Sequence, residues 1–157
     1  MALIGFDDRE VTWQLVPFIG AQVYVLACDA QREIADVMIR FDADVPGKLH
    51  RHLCEFSTFV LQGELRFWQL DGTPKEVRPV ASYVRIAKGG EPHSEGAGAG
   101  AQTAIVLFSF WGTTGDMIHY LDPDGTTAFR LGFSDFERIW AQQIACGATA
   151  KLMPRSG

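Results

Sequence analysis

His50 and His52 stand one residue apart, and a third histidine, His93, follows later in the chain. On an extended strand, residues two apart project from the same face, so the first two imidazoles would lie side by side. Two nitrogen donors from one strand and a third from a later strand can hold a transition metal. The sequence has 4 histidines, and three fall into this pattern. The remaining one, His119, reads as a surface or hydrogen-bonding residue.

The segments around these histidines read as short strands separated by turns. Val11–Val16, Gln22–Ala27, Ile34–Arg40, Leu49–Leu53, Glu64–Leu70, Val80–Ala87, Thr103–Trp111 and Met117–Leu121 carry the apolar or alternating character of strands. Asp42-Ala43-Asp44-Val45-Pro46-Gly47, Asp71-Gly72-Thr73-Pro74 and Asp122-Pro123-Asp124-Gly125 are turn clusters, and Gly96–Gly100 is a flexible loop. Phe59-Val60-Leu61 ends at Gln62-Gly63 before Glu64, a connection short enough for a tight hairpin with Gly63 at positive φ. Only the end is helical in pattern. Ser134 is the expected N-cap, Glu137 would complete a capping box, and Phe136, Ile139, Trp140 and Ile144 recur at helical spacing. Many short strands and one terminal helix imply an all-β antiparallel barrel or jelly roll with a short C-terminal helix. At 157 residues the expectation is a single domain spanning 1–157, with the metal-site core at about 40–111.

Composition removes several classes of function. The net charge is −5, with 14 Lys and Arg against 19 Asp and Glu and no basic cluster, so nucleic acid is not an expected partner. No apolar run reaches the roughly 20 residues of a membrane span, and Met1-Ala2-Leu3-Ile4-Gly5-Phe6 lacks the pattern of a secretory signal. Cys28, Cys54 and Cys146 form neither a disulfide framework nor a zinc-ribbon spacing. A cytoplasmic protein with reduced, buried thiols is the expectation.

Pro46-Gly47-Lys48-Leu49-His50-Arg51-His52, with Gly63 beyond it, resembles the first motif of the cupin superfamily. Lys88-Gly89-Gly90-Glu91-Pro92-His93 resembles the second, with Lys88 in place of the usual proline. A closer likeness includes Phe59-Val60-Leu61-Gln62-Gly63, Arg66 and Tyr120-Leu121-Asp122-Pro123-Asp124-Gly125. With the histidines, these residues look like those of the 2,4'-dihydroxyacetophenone dioxygenase family and of the related acetylacetone-cleaving dioxygenases. The resemblance implies His50, His52 and His93 as ligands of Fe(II), a small ketone and dioxygen as substrates, and a homodimer. The apolar segment around Trp13 and Phe18 would also suit a dimer contact. Zinc, nickel, manganese and cobalt accept the same imidazole donors.

Many cupins add a glutamate seven residues before the motif's glycine. Phe56 stands there in this chain, and Glu55 is displaced by one, which on a regular strand puts it on the opposite face. Glu55 would reach the metal only through a local bulge; otherwise it forms a salt bridge or a surface charge. A site of three neutral imidazoles leaves a divalent ion its full +2 charge and three open positions, which favours an anionic, bidentate enolate.

Arg66 would share a strand face with Glu64 and Trp68, opposite Leu65 and Phe67. There it either holds an anionic oxygen through its planar fork or forms an ion pair with Glu64 or Glu55. Glu91 either orients His93 or faces solvent in its turn. Phe108, Phe110, Trp68 and Trp111 either wall an apolar pocket or are plain core. Tyr120 and the turn after it read as scaffold or dimer contacts. The leading function is a mononuclear non-haem iron dioxygenase cleaving a carbon–carbon bond of a small diketone or hydroxyketone. The alternatives are a metal-bearing sensor or regulatory domain, and a small-molecule-binding module without oxygenase activity.

Overall fold

The computed structural model describes residues 8–45, 47–98, 100, 102–112 and 115–148. Pro46 of the expected first motif, Ala99 of the glycine loop and the N-terminal Met1–Phe6 segment lie outside them. Among the described residues, twelve strands form two six-stranded sheets. In chain order they are β1 (Gln14–Val16), β2 (Ala21–Asp29), β3 (Ile34–Phe41), β4 (His50–His52), β5 (Glu55–Gln62) and β6 (Leu65–Gln69), then β7 (Pro74–Arg78), β8 (Tyr83–Ile86), β9 (His93–Gly96), β10 (Ala104–Trp111), β11 (Asp116–Leu121) and β12 (Thr127–Gly132). One sheet has the order β1-β2-β3-β10-β5-β8 and the other β12-β11-β4-β9-β6-β7. The strand pairs are antiparallel throughout. The result is an all-β jelly roll closed by one C-terminal helix, as the sequence implied.

The centre of the first sheet is its most apolar part. β10 lies between β3 and β5, and Ile105, Val106, Phe108 and Phe110 are buried there. The rings of Phe56, Phe108, Phe110 and Phe136 stack across this core at centroid distances of 5.4–6.4 Å. Helix α1 (Phe133–Ala145) packs against β2 and β3. It starts one residue before Ser134, the expected cap. Gly132 is the actual N-cap, and its N–H donates to the Asp135 carboxylate at 2.9 Å, so the charged partner is Asp135 rather than Glu137. Gln143, near the helix end, is buried. Its Oε1 accepts from the Val25 N–H at 2.8 Å, and its Nε2 donates to the Val25 carbonyl at 2.9 Å. Val25 flanks a register shift in the β2–β3 ladder.

Gly63 does take the expected positive φ of +68°, but it does not close a hairpin. β5 and β6 belong to different sheets, and the short connection carries the chain from one to the other. A Cβ on Gly63 would lie 2.7 Å from the Thr103 carbonyl oxygen, so the crossing is tight as well as left-handed. β7 and β12 are absent from the expected strands, whereas β9 is the later strand expected to carry His93. β7 is an edge strand of sequence Pro-Lys-Glu-Val-Arg, and the exposed charges that suit an edge are what conceal it in sequence.

Candidate metal centre

β4 lies between β11 and β9, and its alternation sends His50 and His52 inward while Arg51 is exposed. His50 is the direct cross-strand partner of His93 on β9, so the second-motif histidine arrives beside the first pair. Two residues further along β9, Glu95 points the same way and is equally buried. The donor atoms of His50, His52, His93 and Glu95 all lie within 4.8 Å of one another. Two adjacent strands thus each contribute a pair of residues two apart.

Backbone carbonyls fix two of the rings. His50 Nδ1 donates to the Lys48 carbonyl at 2.8 Å, and His93 Nδ1 donates to the Glu91 carbonyl at 3.0 Å. With those protons committed, each Nε2 carries the free lone pair. The Nε2 atoms of His50 and His52 are 3.1 Å apart. Two donors bound about 2.1 Å from one ion at right angles would stand about 3 Å apart. Glu95 Oε1 lies 3.4 Å from His50 Nε2, and Oε2 lies 3.9 Å from His93 Nε2. Both His93 Nε2 and Glu95 Oε2 are buried without a hydrogen-bond partner. Buried polar atoms without partners are costly. A shared cation would satisfy both, so the residues present fit a divalent metal.

The electrostatics of the quartet are coupled. Burial and the neighbouring His50, His93 and Arg78 hold His52 well below the ordinary histidine range. Burial also lowers His93, against the pull of Glu95. For His50, burial opposes charging, but the hydrogen bond and negative charge of Glu95 outweigh it and raise the pKa. For Glu95, burial acts upward and is overcome by His50, His93 and Arg78, so its carboxyl is lowered. Glu95 is therefore an anion in the quartet, and His52 is a neutral donor.

A cavity of about 160 Å³ opens beside the quartet, lined by His52, His93, Phe56, Phe67, Ile86 and Arg78 among others. Phe56 stacks on His52 at 3.9 Å between centroids, and Phe67 meets His93 edge-on at 5.5 Å. The phenylalanines that wall the cavity are thus Phe56 and Phe67. Phe108 and Phe110 lie in the core behind them, and Trp68 shares the half-buried face of β6 with Arg66. Trp111 lies under the Arg85 guanidinium at 5.0 Å. Tyr120, read in sequence as scaffold, is buried with its ring 5.4 Å from His50. Burial and the Glu95 carboxylate push its hydroxyl's pKa up.

The remaining expected residues lie elsewhere. Glu55 is outside the quartet and sits 3.8 Å from Arg85, while its neighbour Phe56 takes the inward position. Glu91 is exposed, and its contribution to His93 comes from its carbonyl. Arg66 lies on the face of β6 opposite buried Leu65 and Phe67, donates to Glu64 at 3.0 Å, and packs its stem on Gly98. The structure does not bring it to the histidines. His119 faces away from the quartet and pairs with Asp116 at 2.9 Å. The residue that sequence reasoning missed is Glu95. Its signal was the same period of two, His93-x-Glu95, that had drawn attention to His50-x-His52.

No protein-family model and no curated protein matches the chain. Solved structures do match. An RmlC-like cupin from Ralstonia eutropha has a TM-score of 0.70 at 18% identity, covering 92% of this chain and 89% of its own. An acetylacetone dioxygenase from Acinetobacter johnsonii has a TM-score of 0.65 at 13% identity, covering 90% and 92%. A DMSP lyase from Ruegeria pomeroyi has a TM-score of 0.56 at 18% identity, covering 74% and 64%. The chain has the cupin fold, and within it a buried three-histidine, one-glutamate group able to hold a divalent metal.

Proposed function

We propose that this protein is a mononuclear metal-dependent dioxygenase that cleaves a carbon–carbon bond of a small diketone or hydroxyketone, with Fe(II) as the metal. The observation that carries the reading is the quartet His50, His52, His93 and Glu95 opening on a small, largely apolar cavity. The fold likeness to an acetylacetone dioxygenase supports it. Fe(II), when bound, would supply redox access to dioxygen and charge for an enolate oxygen. In the overall reaction one carbon–carbon bond breaks, and each of the two carbons takes one oxygen atom.

The chain's own residues supply position and environment. Lys48 and Glu91 carbonyls hold two imidazoles with Nε2 inward, and Phe56 and Phe67 exclude water from the approach. Glu95 changes the charge expected of the site. Three imidazoles and one carboxylate leave a divalent ion a net +1 rather than +2, and one fewer open position than three histidines would. The DMSP lyase with the same fold is a reminder that fold does not determine reaction. A metal-bearing sensor or binding module is the second reading, since the same quartet would hold a metal in a protein that performs no turnover.

The test is metal content by mass spectrometry, then anaerobic loading with ferrous iron and oxygen uptake across a panel of diketones and hydroxyacetophenones. Iron retention and substrate-dependent uptake are expected. Retention of zinc alone, with no uptake after iron loading, would leave only the binding or sensor role.

A further inference from the structure

Arg78 is 6% exposed, on an edge strand whose other residues are open to solvent. Glu76 holds its guanidinium along one edge, accepting from Nε at 2.8 Å and Nη2 at 3.0 Å. Nη1 donates to Thr58 Oγ1, on β5 of the other sheet, at 2.8 Å. The guanidinium carbon lies 4.3 Å over the Phe67 ring, and His93 meets the same ring edge-on at 5.5 Å. Arg78 and Lys75 both line the cavity that also contains His52 and His93.

An arginine carries five N–H donors in a fixed plane. Three are engaged here, and two remain on a side chain that walls the cavity. A buried guanidinium is costly unless its donors are met, and a carboxylate meets paired donors best. The quartet histidines His52 and His93 line the same cavity as Arg78, and both His93 and Arg78 meet Phe67. One ligand could place its chelating oxygens at the quartet, lay its carbons on Phe56 and Phe67, and present an anionic end to Arg78. Arg66, to which the sequence pattern assigns that anion-holding role, is on the neighbouring strand β6. The register pairs Arg78 with Leu65, whose face is the inner one, so β7 supplies inward the charge that β6 turns outward.

We propose that Arg78, set by Glu76 and Thr58, is a carboxylate-binding subsite, and that the ligand is a short diketone or hydroxyketone bearing a carboxylate beyond its chelating oxygens. This rests on the proposed function for the chelating end only. The carboxylate lies remote from the reacting carbons, so Arg78 is a specificity and positioning residue. The volume of about 160 Å³ restricts the ligand to a short chain.

The experiment is calorimetric titration of the zinc-loaded protein, which cannot turn over, with 4,6-dioxoheptanoate and with its neutral counterpart heptane-2,4-dione. The carboxylate in the first lies too far along the chain to share the diketone chelate. The acid is expected to bind about tenfold or more tightly than the dione, as for a site built around a polar partner. In Arg78→Met the preference disappears while dione affinity stays within about twofold, and Arg78→Lys restores part of it, having charge without the fork. Equal binding of the two ligands by the wild-type protein overturns the proposal, as does an equal loss for both ligands in Arg78→Met. If Arg78→Met does not fold, the wild-type comparison and Arg78→Lys decide the matter. Acid preference without oxygen uptake by the iron-loaded protein keeps the subsite and removes the dioxygenase. Uptake with the dione and no acid preference does the reverse.

Discussion

Glu95 differs from Glu55 in one respect that decides its chemistry: the face of the strand it occupies. It lies two residues from His93 and is buried with it, whereas Glu55 is turned toward Arg85. Glu95→Gln should therefore weaken zinc or iron binding by at least the 10–100-fold typical of losing a supporting group around a metal, roughly speaking. Glu55→Gln should leave it unchanged. Competition against a chelator of known affinity measures both, and equal affinities for the two variants would exclude Glu95 as a ligand. Glu76 gives a pH signature. The hydrogen bond from Arg78 lowers the Glu76 carboxyl against the opposing effect of burial. A carboxyl depressed in the folded state stabilises fully above its ordinary value, and the contribution is lost as pH falls through the depressed one. The thermal midpoint of wild type should exceed that of Glu76→Gln at neutral pH, and the gap should close on acidification. A gap that did not narrow would contradict the pairing.

At the scale of elements, the site depends on how closely a loop approaches β9. Gly47 N–H donates to the Glu95 carbonyl at 2.8 Å, and a Cβ on Gly47 would overlap that same oxygen. Gly47→Ala must push the loop or the strand aside. It is expected to lower metal affinity at least about as much as loss of a supporting group, 10–100-fold, with the strand content by circular dichroism retained. Wild-type affinity in this variant would show that the loop moves freely. Helix α1 is tied to β2 by Gln143, which satisfies both polar groups of Val25 as a neighbouring strand would. Gln143→Leu leaves a buried N–H and carbonyl unmet, at a cost of about 1–3 kcal/mol for each. Urea denaturation checks it, and a loss below the scatter of surface substitutions would mean that water replaces the side chain. The helix itself was legible from Phe136, Ile139 and Trp140, but its start was not. Asp135 caps through a contact to Gly132 that Ser134 and Glu137 imitate equally well in sequence.

For the molecule as a whole, metal binding and folding are linked because the quartet joins β4 to β9 only in the folded chain. Loading with zinc at a thousandfold excess over its dissociation constant would stabilise by about 4 kcal/mol, or roughly 10 °C for a chain of this size. Scanning calorimetry with and without a chelator reads this, and an unchanged midpoint would argue against a folded-state site. Among the described residues no helix is long and apolar enough to cross a membrane. The jelly roll and the three histidines were legible because both depend on local periods, alternation along strands and donors two residues apart. Gly63 was legible as a left-handed turn but not as a crossing between sheets, since a positive φ does not say which strand comes next. β7 was hidden because its side chains are those of an edge. Only the tertiary structure brought Glu95 and Arg78 inward to the histidines and turned Arg66 outward. By itself the sequence determined which residues share a strand face. Which faces then meet depends on the pairing of strands distant in the chain, and that is decided only when the two sheets close on one core.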